Sequence, residues 1–330
     1  MSPKTYYSSL EKEKVECPIC GSSSVSFIGE GDRYGMGLEV DGCNTCGLAF
    51  VNPRPVKSAM DDFYKTKYRE FYESVEVPSL DYVAKGPFQS RADFVVGVLR
   101  RYLDEDVHGE LLDIGCAEGT LLKTIKEDFP CLSINGLEPN PNFAAFAREH
   151  TGTGNIFSGT FEDFLNGAGS EKYDVITITH VLEHMPDPVK TLSMLRALLK
   201  KDGLLYVEVP NILDVRSKSI AQIHIAHLIY FDPVTLQLCL DRAGFQVQDG
   251  LLNDLPAKTP SMSVVARPAL EASLSTTSQN FTLEPPAVIQ KKHITLRENI
   301  FANIQQPKKQ KMTDKVIRKI KSVFQEKFTK

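Results

Sequence analysis

From residue 109 to residue 268 the chain alternates short apolar runs with amphipathic stretches. The runs "ELLDIG", "SINGLEP", "NIFSGT", "YDVITITH", "LLYVEVP", "FQVQDGLL" and "SMSVVARP" have the length and β-branched content of strands. Between them, apolar residues recur every three or four positions over 120–128, 141–150, 161–166, 187–200 and 232–243, which predicts helices. Asp187 and Asp232 each precede a proline, the pattern of an N-cap with proline at the first helical position. Gly203 and Gly244 stand just past the last predicted turns. Strands alternating with helices predict a doubly wound, mainly parallel α/β sheet of seven strands, covered on both faces. Such a sheet binds ligands beyond the carboxyl ends of its strands, at the switch point of strand order.

The pattern changes on both sides of this region. Residues 1–53 carry paired cysteines. Residues 54–104 hold "SAMDDFYKTKYREFYESV" and "FQSRADFVVGVLRRYL", whose spacing predicts helices that connect the parts and cover a pocket. Residues 105–268 make the main domain, and 269–290 read as a Ser/Thr-rich linker. Residues 291–330 read as a basic helical tail, in which Val316, Ile320, Val323, Phe324 and Phe328 share one face.

Composition adds bounds. With 330 residues and 42% apolar content, the chain has the make-up of a soluble α/β protein. It contains no apolar run long enough to span a bilayer, and "MSPKTYYSSLEKEK" lacks the apolar core of a secretory leader, so a cytoplasmic location is expected. The net charge of −4 is unevenly spread: residues 291–330 hold 12 Lys+Arg against 3 Asp+Glu, leaving 26 against 39 for the rest. The acidic body argues against a nucleic-acid partner. The basic tail suits peripheral contact with an anionic membrane at its inner face, or docking on the acidic body.

The chemistry starts at "LLDIGCAEGT". A strand ends on Asp113, followed by Gly115, Cys116, Ala117, Glu118 and Gly119. A dinucleotide fingerprint needs a second glycine where Ala117 stands, and no phosphate-loop Gly-Lys-Ser/Thr follows. The second strand ends "GLEP", placing Glu138 25 residues after Asp113, where a carboxylate takes both hydroxyls of a ribose. The turn therefore provides for a nucleoside without phosphates.

Together, "LLDIGCAEG", "GLEPN", "GTFEDF", "YDVITITHVLEHMPDP" and "LLKKDGLLYVEVPN" resemble class I S-adenosylmethionine-dependent methyltransferases over residues 109–268. The resemblance implies S-adenosyl-L-methionine as donor. Asp113 would lie near its ammonium, and Gly115, Cys116 and Gly119 along its aminoacyl part and ribose. Glu138 and Pro139 would sit at the ribose, and Phe161 and Glu162 beside adenine. Many relatives carry an acid where this chain has Thr160. The segment Thr179–His184 resembles that of small-molecule O- and C-methyltransferases, including ubiquinone-pathway and sugar-modifying enzymes. There His180 would line the donor pocket, and Glu183 and His184 would orient the loop or act on the acceptor.

Transfer from a sulfonium needs alignment and removal of the acceptor's proton. His224 and His227 precede Tyr230 and Phe231 after the fifth strand. This resembles the "HEH-LSYF" segment of sugar C-methyltransferases, whose second histidine takes a proton; by position that residue is His227, with His184 and His224 as alternates. The match departs at Ile225 and Ala226.

Cys17, Cys20, Cys43 and Cys46 form two C-x2-C pairs separated by 22 residues, each followed by glycine. This is the spacing of a closed tetrahedral site for structural zinc (Zn2+); a redox dithiol and an iron–sulfur site are the alternatives. A cysteine-rich unit ahead of the donor-binding domain again resembles methyltransferases of bacterial glycan and sugar modification. The residues after 268 are not expected to supply their long additional C-terminal domain, so their position of methylation is not carried over. Cys116, Cys131 and Cys239 read as core or pocket-wall residues. The expected function is methyl transfer to a small or glycan-linked acceptor, a sugar hydroxyl first and a quinone-like hydroxyl second. The competing class is a non-catalytic donor-binding module that uses its zinc unit to contact protein or nucleic acid.

Overall fold

The computed structural model describes residues 3–68, 75–167, 172–214, 220–248, 261–269 and 283–301. The chain forms two compact units. One comprises Val75–Pro210 and Leu236–Phe281; the other gathers three separate pieces, Met1–Ser74, Asn211–Thr235 and Thr282–Lys330.

The first unit is built on seven strands: β1 (Gly109–Ile114), β2 (Leu132–Glu138), β3 (Ile156–Ser158), β4 (Tyr173–Thr179), β5 (Leu199–Pro210), β6 (Phe245–Val247) and β7 (Ser261–Pro268). Their order is β6-β7-β5-β4-β1-β2-β3. The ladders joining β3, β2, β1, β4 and β5 are parallel, and β7 runs antiparallel to both its neighbours. Order reverses between β1 and β4, so a crevice opens beyond Ile114 and Thr179. The strands are near-continuous apolar runs because both faces are covered. On one side Val95, Val96 and Leu99 of the helix Phe88–Leu99 pack with Leu122, Ile125 and Ala147 against Leu111, Val175, Leu204 and Tyr206.

The expected helices form at Thr120–Asp128, Pro141–Thr151, Phe161–Gly167, Pro188–Leu198 and Pro233–Arg242. Asp187 Oδ1 accepts from Lys190 N at 2.9 Å, and Asp232 Oδ1 from Val234 N and Thr235 N at 2.9 and 3.1 Å. Both aspartates are N-caps, as their place before proline implies. Gly244 ends its helix with φ of 80°. Gly203 differs: the helix before it stops at Leu198, and Gly203 lies within β5, where pairing with β4 slips between Leu199 and Leu204. Cys131 is also not a core residue; it lies exposed in the turn before β2, ahead of the strand's first inward position, Leu132.

In the second unit, strands Val25–Glu30, Glu39–Cys43 and Ala49–Val51 form an antiparallel sheet, which Ile229–Tyr230 extends at the far edge. A helix, Pro286–Leu296, begins inside the stretch expected as a linker, with proline in its first turn. It packs by close approach to glycines: a Cβ on Gly42 would stand 2.5 Å from the His293 ring, and one on Gly47 2.8 Å from Lys292 Nζ. Lys292 is buried and bonds Asp232 Oδ2 at 2.9 Å and Glu284 Oε2 at 2.6 Å. Arg297 then donates to the backbone carbonyls of Phe27 and Ile28.

The amphipathic face over 316–328, most of the linker and the end of "FQVQDGLL" lie outside the described residues. Among the described residues no helix is long and apolar enough to cross a membrane.

Candidate active site and metal centre

The turn after β1 is wound by three left-handed residues, Gly115 (φ 76°), Ala117 (φ 48°) and Gly119 (φ 84°). Gly115 and Cys116 donate to the Leu137 carbonyl at 2.8 and 3.0 Å, which ties the turn to the end of β2. No side chain fits at Gly115: a Cβ there would meet Val181 Cγ2 at 2.5 Å. At Gly119 a Cβ would meet Thr151 Cγ2 at 2.8 Å and Ala147 Cβ at 3.2 Å. Glu138, the last residue of β2, is buried; its Oε2 accepts from Ala117 N at 3.2 Å and its Oε1 from Asn140 N at 2.9 Å. Pro139 carries the chain into the helix capped by Asn140. The structure thus brings Gly115, Cys116, Gly119, Glu138 and Pro139 into one cradle.

Asp113 ends β1 almost fully buried, and Thr177 Oγ1 on β4 donates to its Oδ1 at 2.7 Å. Burial is the main influence on its carboxyl; the Thr177 bond opposes it, Glu118 and Glu138 add to it, and the pKa is pushed up to about 7. Cys116 is buried as well, and burial pushes its thiol well above the usual range, so it is an inert wall.

Beyond β3, Thr160 and Asp163 cap the next helix reciprocally: Thr160 N donates to Asp163 Oδ2 at 3.0 Å, and Asp163 N to Thr160 Oγ1 at 3.1 Å. Thr160 is thus the N-cap of that helix in a reciprocal capping arrangement. Phe161 is buried at the head of that helix, and Glu162 is exposed. Beyond β4, His180 is left-handed (φ 54°), and Glu183 and His184 follow in a single 3-10 turn, Leu182–His184.

His224 and His227 belong to the second unit. Both are buried, with ring centroids 3.7 Å apart, and His227 N donates to the His224 carbonyl at 2.9 Å. Tyr64 donates to the carbonyl of the intervening Ala226 at 3.3 Å.

The four paired cysteines converge in the same unit, their sulfurs all within 4.8 Å of one another. Cys17 Sγ and Cys46 Sγ are 3.5 Å apart, as are Cys20 Sγ and Cys43 Sγ, far beyond the roughly 2.05 Å of a disulfide. The two pairs sit on matching turns. Gly21 N donates to the Cys17 carbonyl and Gly47 N to that of Cys43; Cys17 N and Cys43 N donate to Ser22 and Leu48 carbonyls. Gly21 and Gly47 are both left-handed, at φ 71° and 80°. Backbone N–H groups of Thr45 and Cys46 point at Cys43 Sγ at 3.4 and 3.5 Å. Hydrogen bonds from the other three thiols hold Cys43 below the usual thiol range, and the bond from Cys17 brings Cys20 down to about 7. Four sulfurs this close ionise together only around a cation, so the cluster could hold a metal ion.

A family profile described as a methyltransferase domain matches residues 89–249. This segment is similar to methyltransferase domains. A curated relative, the ubiquinone biosynthesis O-methyltransferase of Glaesserella parasuis serovar 5 (strain SH0165), is 30% identical over 154 residues, covering 41% of this chain and 64% of that enzyme. The enzyme of the same name from Actinobacillus pleuropneumoniae serotype 5b (strain L20) is 30% identical over 121 residues, 33% of this chain and 51% of the relative. The chain therefore spans less than two thirds of the length of these relatives. Among solved structures, the mitomycin 7-O-methyltransferase MmcR matches at 22% identity and a TM-score of 0.44, over 57% of this chain and 56% of that one.

Within residues 89–249, the partners that fix the predicted residues are not legible in the sequence. Thr177 is an ordinary strand threonine by sequence, and only β1–β4 register sets it beside Asp113. Ala117 holds Glu138 through its backbone, which no residue type announces. Glu208 had a visible signal: an acid inside "LLYVEVP", a strand buried on both faces.

Proposed function

We propose that the chain transfers a methyl group from S-adenosylmethionine to a hydroxyl of a small or glycan-linked acceptor, a sugar hydroxyl being the first reading. The observation that carries it is the buried Glu138 carboxylate beside the left-handed turn Gly115–Gly119, inside the segment that matches methyltransferases. Glu138 already accepts two backbone bonds, and a carboxylate has lone pairs left for both hydroxyls of a ribose. Asp113 offers an acceptor for the donor's ammonium, and nothing in the cradle provides for phosphate.

The donor supplies a methyl group already activated on a sulfonium, so the chain's own work is alignment and proton removal. His227 takes the acceptor's hydroxyl proton as the oxygen attacks, with His224 and His184 as alternates. The quinone-like acceptor stays as a second reading because the curated relatives carry ubiquinone-pathway names. Incubating the protein with methyl-labelled donor and separate pools of nucleotide sugars, glycans and catechol-like phenols tests both. Label in no pool, despite donor binding, would favour a non-catalytic donor-binding module.

We further propose one structural zinc on Cys17, Cys20, Cys43 and Cys46. Sulfurs about 2.3 Å from a tetrahedral ion lie about 3.8 Å apart, close to the 3.5 Å seen for two of the pairs. The four cysteines fill the coordination shell, which leaves no position for substrate.

Removing the ribose clamp tests the donor site directly. Glu138→Ala is expected to weaken donor binding at least about tenfold, because hydrogen bonds to a charged group contribute roughly 1.5–3 kcal/mol each and ~1.4 kcal/mol is a factor of ten. Calorimetry with S-adenosylhomocysteine reads the change, and unaltered affinity removes Glu138 from the site.

A further inference from the structure

At the carboxyl end of the sheet a second polar cluster surrounds His180. Glu208, near the end of β5, is fully buried. Its Oε1 lies 2.9 Å from His180 Nε2 and 3.4 Å from Arg91 Nε, and its Oε2 accepts from the Tyr206 hydroxyl at 3.2 Å. Ser261 Oγ, where β7 begins, is 3.2 Å from the same imidazole nitrogen. The other nitrogen, Nδ1, lies 3.5 Å from Oε1 of the buried Glu183. Both ring nitrogens thus face carboxylates. A neutral imidazole has one N–H and would turn a lone pair toward one of them; only the imidazolium donates to both.

The backbone follows the same arrangement. His180 N donates to the Glu208 carbonyl at 2.8 Å, and His180 is at φ 54°, in the left-handed region that few residues with a side chain occupy. The next residue, Val181, presses its Cγ2 into the space over Gly115. The ring of His180 and the turn of the donor cradle are therefore joined through one residue.

We propose that Glu208 is a positioning residue: it holds protonated His180 in the left-handed turn that sets Val181 against Gly115, so that donor affinity depends on the His180–Glu208 ion pair. This rests on the reading of the Gly115 turn as the donor site. The charged and titratable groups facing the ring are Glu183 beside it in the chain, Glu208 and Tyr206 from β5, and Arg91 from the helix Phe88–Leu99. Burial opposes the charge on His180, the bonds to Glu183 and Glu208 outweigh it, and the pKa is pushed up to about 8. Glu208 shifts the other way: burial would raise it, but His180, Arg91 and Tyr206 hold it below the ordinary value. A raised imidazole pKa means that the ion pair is fully present below the ordinary histidine value and is lost as pH rises through about 8.

The test is binding of S-adenosylhomocysteine by calorimetry from about pH 6 to about pH 9.5, a window that brackets the ordinary histidine value and the raised one. His180→Asn keeps a residue that tolerates the left-handed region and removes the charge. Glu208→Gln keeps the shape and removes the partner's charge. The ratio of wild-type to His180→Asn affinity is expected to be largest at the acid end and to shrink toward unity above about pH 8, where the ion pair is lost. Asp113 titrates in both proteins and cancels from that ratio. Glu208→Gln is expected to move the alkaline fall in affinity to lower pH, because one of the two carboxylates that favour the imidazolium is gone. A ratio that stays flat with pH, or a His180→Asn protein that binds as tightly as wild type, overturns the proposal while leaving the donor site intact. Failure of the wild-type protein to bind at any pH overturns both. Should Glu208→Gln not fold, the His180→Asn ratio alone decides.

Discussion

Alanine in place of His227 is expected to lower methyl-transfer turnover by roughly 10²–10⁴ and to leave donor affinity unchanged, the range for losing a general base. The split follows from where the residue sits. His227 belongs to the unit that carries the cysteines, and the proposed donor residues Asp113, Gly115 and Glu138 to the other. Burial and the neighbouring His224 ring fix the imidazole, so on the proposed reading its removal takes away the proton acceptor. Two controls separate chemistry from folding: metal content reports on the unit holding His227, and donor calorimetry on the other. Loss of both would mean that His227 holds the fold. Full turnover would move the proton acceptor to His184 or His224.

Serine at Cys43 is expected to take zinc from one atom per chain to near none and to unfold its surroundings at a much lower temperature. Structural zinc contributes on the order of 10–16 kcal/mol of apparent binding free energy in small zinc units, and that free energy is folding free energy. Cys43 is the sensitive choice because its sulfur is fully buried and receives two backbone N–H groups. The strand it ends pairs with two others and lies beneath His293, so loosening there spreads into the sheet. Elemental analysis and thermal melts with and without chelator check the expectation. Iron in the purified protein, or a chelator-insensitive melt, would refute a structural zinc.

The sheet was readable in the sequence because its strands are buried on both faces and its helices carry their own end signals. Asp187-Pro188 and Asp232-Pro233 mark two helix starts within one residue. The candidate donor residues were readable because they stand at strand ends, where spacing along the chain becomes position in the crevice. Side-chain partners across strands were not readable. The Asp113–Thr177 and His180–Glu208 pairs depend on register, which a sequence does not print. Long-range docking was hidden for a different reason. Lys292 and His293 look like part of a solvated basic tail, and are buried because Gly47 and Gly42 leave room for them.

Arg297 bonds the Ile28 carbonyl across 269 residues of chain, and Lys292 bonds Asp232 across 60. During synthesis, at about 5–20 residues per second, roughly 13–54 s separate the emergence of Ile28 from that of Arg297. The four cysteines leave the ribosome ahead of residues 109–268 and within one short stretch, so the proposed metal would have its ligands before the larger sheet exists. The neighbouring strand Ala49–Val51 must then wait with an unpaired edge for Ile229–Tyr230. An early-bound metal would hold that nascent sheet in register through the interval, and an exposed strand edge is what aggregation exploits. Cells starved of zinc during expression should therefore accumulate this chain in the insoluble fraction, whereas stripping metal from the finished protein should leave more of it in solution.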